Sequence, residues 1–411
     1  MKRKKYVIAE STSHAMRGRN SPRRGIPQKT LRLLAMILTM ALLAACAADG
    51  TQAVVVGAAP EHYERLGLSM DAVEIHEDGT NTQGADGTFE WWYFDAALDD
   101  GSNLVLTFYT RSMMNPNGPL APFVTFEWTG ADGTLRSERV VVNPADFFAS
   151  DQGCDVRIGE NYIKGDLQEY ELYFTKDDLE ARVHLSSNAQ SWRPGTGYRL
   201  YGDDEENYAA WLCAVPEGDV SLELTMDGHS ATYQGSGYHD HNWGNLPLWR
   251  MQNNWYWGRA KTEDYVVISF DIVTTADYGF EEFTTFVLFK DGAVIAESFS
   301  DVEFAADDIF IDEETGIPIA NKLLYTLEDG DRQYVVEYQR ENTILASSMM
   351  AALPDADREE AVAAGNKLMY YRFNGSVSIS VIENGTVLDS QTTQDAVWEL
   401  MFPGVVREEH R

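Results

Sequence analysis

The sequence predicts an all-β protein, because short segments of alternating or aromatic character repeatedly flank tight turns. The clearest hairpin joins residues 88–98 to residues 103–111 across the turn Asp99-Asp100-Gly101. Comparable hairpins are predicted over residues 122–142, 169–185, 222–235, 265–299 and 375–391. Only residues 355–364 have a clearly helical pattern. Meandering antiparallel strands joined in this way are typical of β-sandwiches and up-and-down barrels.

The first 45 residues are predicted to be a signal peptide that is removed from the mature protein. Residues 1–32 carry ten Lys and Arg residues against a single acid, Glu10. Residues 33–45 are apolar apart from Thr39, and this run is too short to span a bilayer, which needs about 20 residues. A basic region followed by a short apolar run is typical of an export signal.

The apolar run ends at Leu43-Ala44-Ala45-Cys46, which resembles the lipobox of bacterial lipoproteins. Cys46 is therefore the predicted lipidation site, which would anchor an extracytoplasmic protein to a membrane, at the cell surface or on the periplasmic face. Lasting attachment of this kind needs more than one acyl chain. An ordinary secretory signal with an unrelated cysteine is the alternative, and translation from Met16 instead of Met1 would leave a signal of ordinary length.

The mature chain is strongly acidic, which excludes nucleic acid as a partner. The full sequence has 32 Lys and Arg against 65 Asp and Glu, and removal of the signal leaves 22 against 64. Nucleic acids and anionic membrane faces both need a basic protein surface. No glycine-rich phosphate loop or serine nucleophile elbow follows a predicted strand, so we expect no cofactor. Cys154 and Cys213 could form a disulfide or remain free.

The mature length of 366 residues exceeds that of an ordinary single core, so two domains are predicted. Residues 46–65 begin with a weakly patterned stretch and are expected to tether the lipid to the first domain. We assign residues 66–250 to an N-terminal domain and residues 251–405 to a C-terminal domain.

Two segments, residues 90–95 and residues 238–243, combine aromatic and polar side chains at high density. Because successive side chains of a strand point to opposite faces, each segment presents two different faces. These faces hold Glu90, Trp92 and Phe94 or Trp91, Tyr93 and Asp95 in the first segment, and His239, His241 and Trp243 or Tyr238, Asp240 and Asn242 in the second. Buried polar groups need hydrogen-bonding partners, whereas core packing is the alternative role for the tryptophans.

One chemistry that suits the second segment is metal binding. His239 and His241 have the spacing of two metal ligands on one strand. A third ligand would have to come from His184, His229 or Glu90, and nothing in the sequence selects one of them. We therefore expect no metal, and a metal-dependent enzyme remains a third alternative.

The other chemistry is acid catalysis on an alkene in an aromatic pocket. A carboxylic acid protonates the double bond, and burial keeps the proton on the acid by raising its pKa. Aromatic faces would stabilise the carbocation by about 2 kcal/mol or more each. The predicted acid is Asp271, on the polar face of a strand over residues 265–273. An aspartate that faces water near a strand end is the alternative.

The sequence resembles the carotenoid 1,2-hydratase family (CrtC, hydroxyneurosporene synthase) and the related AttH-like proteins. The resemblance rests on Glu90-Trp91-Trp92-Tyr93, Trp192-Arg193-Pro194, Val215-Pro216-x-Gly218-x-Val220, Gly237-Tyr238-His239-Asp240-His241-Asn242-Trp243-Gly244 and Trp257-Gly258-Arg259. It implies two lipocalin-like β-barrels packed side by side, with an apolar ligand pocket in or between them and no cofactor. It also implies catalytic roles for His241, Trp243 and Asp271, although Ser269 stands where the family has a tyrosine.

We therefore expect a lipoprotein that binds an apolar, isoprenoid or lipid-like small molecule and hydrates or cyclises it by acid catalysis. A non-catalytic lipid carrier is the main alternative. If Asp271 is not the acid, Glu90 or Asp240 would replace it. The expected ligand-binding residues are Glu90, Trp91, Trp92, Tyr93, Tyr238, His239, Asp240, Asn242, Trp257 and Arg259.

The lipid anchor can be tested with Cys46→Ala. We expect this variant to incorporate no fatty acid, because the acylated thiol is absent, while the unchanged protein is labelled. Metabolic labelling with an alkyne fatty acid measures the difference, and Cys213→Ala is the matched control. Equal labelling of the Cys46→Ala variant would contradict the assignment.

Overall fold

The computed structural model describes residues 51–407, and the chain from Thr51 onward forms one compact unit. The predicted signal peptide, Cys46 and the first part of the predicted tether lie outside the described residues. Within residues 51–407, no helix is both long and apolar enough to cross a membrane.

The first of two antiparallel sheets contains thirteen strands of the described chain. They are β1 (Val54–Val56), β2 (Phe89–Leu98), β3 (Asn103–Tyr109), β4 (Phe123–Thr129), β5 (Leu135–Val141), β6 (Phe147–Ala149), β7 (Asp155–Ile158), β8 (Asn161–Gly165), β9 (Glu169–Lys176), β10 (Leu179–Ser187), β11 (Tyr198–Tyr201), β12 (Asn207–Met226) and β13 (His229–Gly244). The strand order is β5-β4-β3-β2-β13-β12-β10-β9-β8-β7-β6, with β11 paired to β12 and β1 paired to β11. The pairing of β2 with β13 therefore joins strands that are distant in the chain.

The second sheet contains nine described strands in the order β17-β16-β15-β14-β22-β21-β20-β19-β18. They are β14 (Gln252–Lys261), β15 (Tyr265–Thr274), β16 (Glu282–Lys290), β17 (Ala293–Ser298), β18 (Val302–Ile311), β19 (Pro318–Asp329), β20 (Arg332–Ser348), β21 (Met369–Glu383) and β22 (Thr386–Phe402). The α-helices are α1 (Pro60–Leu66), α2 (Leu248–Met251) and α3 (Asp355–Ala364). Helix α3 matches the predicted helix and ends at Gly365, whose φ of 84° is the left-handed conformation that glycine favours.

Each sheet curls around a core of its own. Phe126 on β4 stacks on Phe174 on β9, with ring centroids 5.1 Å apart, although several strands separate them in the sheet. In the second sheet, Tyr256 on β14 lies 6.4 Å from Phe304 on β18. The inward positions of the first sheet, such as Trp92, are fully buried. The predicted fold class, all-β with two lipocalin-like antiparallel sheets, is confirmed.

Part of the predicted tether is folded. Residues Val54–Val56 pair with β11, and α1 follows at Pro60–Leu66. Three consecutive β-branched valines favour an extended strand, and the edge of β11 supplies the hydrogen-bonding partner. Within the predicted tether over 46–65, the described residues therefore include a strand and most of a helix, where the sequence predicts an unstructured link.

The two sheets meet through α2, which separates β13 from β14 near the predicted boundary at residue 250. Arg259 on β14 forms salt bridges with Asp95 on β2 and with Glu217 on β12, so charged contacts cross between the sheets. Because the described residues form one compact unit, their division into two separate domains stays a prediction. Cys154 and Cys213, the two cysteines of the described chain, are buried and free.

Candidate active site between the two sheets

The pairing of β13 with β2 separates the two aromatic segments into two faces. His241 pairs with Trp92 and Asp240 pairs with Tyr93, so each pair shares one face of the sheet. The face that carries His241 points into the core of the first sheet. The face that carries Asp240 points toward the second sheet. These two faces form two different polar sites.

The inward face contains a network of buried hydrogen bonds. Nε2 of His241 lies 3.0 Å from a Glu90 carboxylate oxygen, and Nε2 of His239 lies 3.1 Å from a carboxylate oxygen of Asp78. The hydroxyl groups of Thr80 and Thr82 each donate to Glu90 at 2.7 Å. The Tyr170 hydroxyl donates to Asp78, and the ring of His241 stacks on Trp92 at 4.4 Å. His239, His241, Glu90 and Asp78 are at most 1% exposed, so the network is closed to solvent.

Asp78 reaches this network because Arg193 fixes the short segment that precedes it. Arg193 forms a buried salt bridge with Glu77 at 2.5 Å and donates to the backbone carbonyl of Ser69 at 2.8 Å. The indole nitrogen of Trp92 donates to the Asp78 carbonyl at 3.1 Å. Arg193 belongs to the Trp-Arg-Pro motif that the sequence singles out, and its structural task is therefore to position Asp78.

Burial and charge act in opposite directions on the inner pair. Burial alone would raise the pKa of Asp78, but the charge and hydrogen bond of His239 leave it lower than usual. Burial alone would lower the pKa of His239, but Asp78 leaves it higher than usual. Both shifts favour an ion pair between an imidazolium and a carboxylate.

The inner cluster also contains the donor atoms that a metal ion would need. Donor atoms of Asp78, Cys154 and His239 lie within 4.8 Å of one another. An ion there would replace the direct hydrogen bond between Asp78 and His239. The third ligands considered from the sequence do not complete this group, because His184 and His229 are exposed and Glu90 contacts His241 instead.

The outward face lines a cavity of about 390 Å³ between the two sheets. This volume is within the range of about 300–1,000 Å³ that suits drug-sized ligands. Eleven aromatic side chains from both sheets contribute to the walls. They include Phe89, Trp91, Tyr93, Tyr109, Tyr198, Trp211, Trp243, Trp255, Trp257, Phe270 and Tyr370.

Asp240 and Glu127 are the two carboxyl groups that the first sheet presents to this cavity, and Asp240 is the buried one. It accepts hydrogen bonds from the indole nitrogen of Trp211 at 3.0 Å, from the Tyr238 hydroxyl at 2.8 Å and from the Asn242 amide at 2.8 Å. Burial raises the pKa of Asp240 to about 7, although Trp211 and Tyr238 act in the opposite direction. Asp240 is therefore able to hold or to release a proton near neutral pH.

The second sheet contributes Glu399 and Arg372 to the same cavity. The indole nitrogen of Trp255 donates to Glu399 at 3.4 Å, and burial raises the pKa of Glu399. A second groove between the sheets shares Tyr93, Trp257 and both charged residues with the cavity, and it also contains Arg259. The cavity thus has an acid on each wall and a guanidinium where it meets the groove.

A family comparison identifies the group of proteins to which the chain belongs. The model of the Diels-Alderase-like family matches residues 82–317, which is more than half of the chain and includes both aromatic segments. The chain belongs to the Diels-Alderase-like family.

Two curated relatives resemble parts of this Diels-Alderase-like chain. It is 27% identical over 236 residues to the quinolone epoxide rearrangement protein asqO of Emericella nidulans, covering 50% of this chain and 58% of the relative. It is 25% identical over 210 residues to the hydroxyneurosporene dehydrogenase of Chlorobaculum tepidum, covering 43% of this chain and 54% of the relative. The chain thus matches between half and two thirds of each relative's length.

The solved structures agree on the fold. The crystal structure of an AttH-type protein from Nitrosomonas europaea superposes with a TM-score of 0.54 at 14% identity, covering 84% of this chain and 99% of that chain. The resemblance to CrtC and AttH-like proteins that the motifs predict is therefore confirmed, because a Diels-Alderase-like family model, a hydroxyneurosporene protein and an AttH-type structure all match.

The structure divides the predicted site residues between the two faces. Trp91, Tyr93, Asp240, Asn242, Trp243 and Trp257 line the cavity, and Arg259 lines the adjoining groove. Tyr238 is buried behind Asp240 and donates to it. Glu90, Trp92, His239 and His241 belong to the inner network instead, because the period of two along a strand turns them away from the second sheet. Trp243 lies on the strand face of His241, whose ring centroid is 4.7 Å away, and it also borders the cavity.

Asp271 does not line the cavity of this Diels-Alderase-like protein. Phe270 and Ile272 face the cavity, whereas Asp271 lies on the opposite face of β15 and accepts a hydrogen bond from the Thr284 hydroxyl at 2.8 Å. Burial raises the pKa of Asp271 well above its usual range. The alternative of a solvent-facing aspartate is wrong, since Asp271 is 1% exposed. Asp271 and His241 are both expected to be catalytic, but the structure places them in different cores. On the same face, Ser269 donates to the hydroxyl of Tyr338.

Several cavity residues have no signal in the sequence. Trp211, Phe270, Arg372 and Glu399 lie on four different strands and meet only when the two sheets pack together. The one sequence feature that points to the cavity is the high density of aromatic residues after the second segment, which extends through Trp255.

The inner network should stabilise the fold and not only the site. We expect His241→Ala to lower the free energy of unfolding by about 3–5 kcal/mol, because it leaves the buried carboxylate of Glu90 without its imidazole. Urea denaturation of the mature protein measures this change. His184→Ala, at an exposed histidine, is the control and should change stability by less than about 0.5 kcal/mol. Equal denaturation midpoints for the two variants would refute the role of the network.

Proposed function

We propose that this protein is a cofactor-independent enzyme that hydrates, cyclises or rearranges an apolar small molecule by acid catalysis between the two sheets. One observation carries the proposal: the carboxyl group of Asp240 faces an aromatic cavity and has a pKa near 7. An alkene or an epoxide oxygen is a weak base, so the donor must be a protonated acid in a site that excludes water.

The three hydrogen bonds to Asp240 stabilise the carboxylate that remains after proton transfer. In the proposed step, the carboxyl O–H bond breaks and the proton forms a new bond to a substrate carbon or oxygen. The electrons of the O–H bond stay on Asp240 as a carboxylate. Trp211, Tyr238 and Asn242 donate hydrogen bonds to this carboxylate. Donors that are already in place avoid the cost of reorganising water around the new charge.

The tryptophan rings suit the cation that such a step creates. Trp91 and Trp243 line the cavity from the first sheet, and Trp255 and Trp257 line it from the second. A cation over a desolvated aromatic face gains about 2 kcal/mol. In a hydration, water attacks the cation and loses a proton to Asp240; in a cyclisation, a double bond of the substrate attacks instead and a later deprotonation restores the acid.

The names of the relatives support the same class of reaction. One relative is a quinolone epoxide rearrangement protein and another is a hydroxyneurosporene dehydrogenase. Both names refer to small organic molecules. A small-molecule substrate is the shared element that we transfer to this chain.

The proposed export and lipid anchor fit an apolar substrate. Acylation at Cys46 would hold the protein at a membrane, where isoprenoid and lipid-like molecules concentrate. An enzyme with an aromatic cavity would then draw its substrate from the bilayer rather than from water. This localisation belongs to the proposal and depends on the labelling of Cys46.

The proton donor can be tested with Asp240→Asn. We first identify a substrate by screening isoprenoids, polyenes and aryl epoxides for a mass gain of one water or for isomerisation without added cofactor. Asp240→Asn should lower turnover at least about 100-fold and leave ligand affinity nearly unchanged, because the amide keeps the shape but has no acidic proton. For the unchanged enzyme, kcat/KM should fall about tenfold per pH unit above pH 7, as the acid loses its proton.

Asp271→Asn is the matched control, since it removes a buried acid on the opposite face of the cavity wall. It should retain turnover. Loss of turnover in Asp271→Asn together with full activity in Asp240→Asn would return the donor role to Asp271. Ligand binding without turnover of any screened class would favour the carrier alternative.

A further inference from the structure

We propose that the cavity recognises an anionic oxygen of its ligand through Arg372, so that the ligand is an apolar molecule with one acidic terminus. This inference rests on the proposed function and names its substrate class. It begins with the charged groups where the cavity and the groove meet.

Arg372 lies where the cavity and the adjoining groove join, and it lines both. A second arginine of the groove, Arg259, is engaged by two carboxylates, Asp95 and Glu217. Arg372 forms no salt bridge or hydrogen bond with the residues that the structure describes, although it is only partly exposed. A guanidinium in such a place has five N–H donors to satisfy, and a ligand oxygen is the group that the cavity can bring to it.

The polar neighbours of Arg372 form hydrogen bonds with other residues. The Tyr93 hydroxyl donates to Asp95 at 3.2 Å, and the Tyr370 hydroxyl hydrogen-bonds with Glu399. Burial raises the pKa of Glu399, which favours its neutral form, and the nearby carboxylate of Asp95 is already paired with Arg259. The polar end of the cavity therefore offers a cation, whereas most of the remaining lining residues are aromatic or aliphatic.

Arg199 is the other arginine of the cavity wall and a weaker candidate. Its guanidinium lies 5.1 Å from the centre of the Phe283 ring. Arg199 lines the cavity alone, whereas Arg372 lines both the cavity and the groove. A planar guanidinium matches the two oxygens of a carboxylate.

The test uses two probes of matched shape, all-trans-retinoate and all-trans-retinol, which differ in the acidic terminus. Binding is measured on the mature protein by quenching of tryptophan fluorescence, since five tryptophans line the cavity walls. Retinoate should bind the unchanged protein about tenfold or more tightly than retinol, as expected for a charge-assisted hydrogen bond. Arg372→Gln should weaken the binding of retinoate by that factor and leave the binding of retinol unchanged. Arg372→Lys should restore part of the difference in affinity.

Two further variants separate the possible causes. Arg332→Gln removes one exposed cation distant from the cavity and should change neither probe. Arg199→Gln should also preserve the preference for retinoate. Equal binding of the two probes, or loss of the preference in Arg199→Gln and not in Arg372→Gln, would overturn the inference while leaving the proposed enzyme intact. If neither probe binds, both the inference about Arg372 and the proposed function are overturned.

Discussion

The antiparallel pairing of β13 with β2 is the constraint on which the rest of the site depends. Residues 238–244 pair one to one with residues 89–95, so the alternation of side chains is the same on both strands. One register places His241 and Trp92 in the first core and Asp240 and Tyr93 toward the second sheet. A shift by one residue would exchange the two faces and bury Asp240 among the core residues.

The inner network and the cavity are therefore two sides of one structural element. The imidazole rings, Asp78 and Glu90 hold β13 and β2 together from the core side with hydrogen bonds that water cannot reach. That rigidity keeps the carboxyl of Asp240 among its three donors on the other side. A wall of low polarity raises the pKa of the acid, and fixed donors stabilise its conjugate base, so the two requirements of an acid catalyst are met by different neighbours.

The sequence predicts much of the fold but only part of the site. Turn signals and alternating segments identify the hairpins, and the period of two correctly separates His239 and His241 from Tyr238, Asp240 and Asn242. Trp243 contacts the ring of His241 and also borders the cavity. Which face meets the second sheet cannot be read from the alternation, because both faces are aromatic. Asp271 is predicted to be catalytic because it is a polar residue in an apolar strand. An acid that is buried in the core of the second sheet has the same sequence pattern, and the structure places Asp271 there. Arg372 and Glu399 are brought to the cavity only by packing between the sheets.

The location of the ligand is tested most directly by photocrosslinking. An apolar acid that carries a diazirine is irradiated with the mature protein, and the labelled residues are identified by peptide mass spectrometry. We expect labels on residues that face the space between the sheets, such as Trp91, Trp257 and Phe270. Labels confined to the first core, on residues such as Phe174 and Leu185, would contradict a site between the sheets.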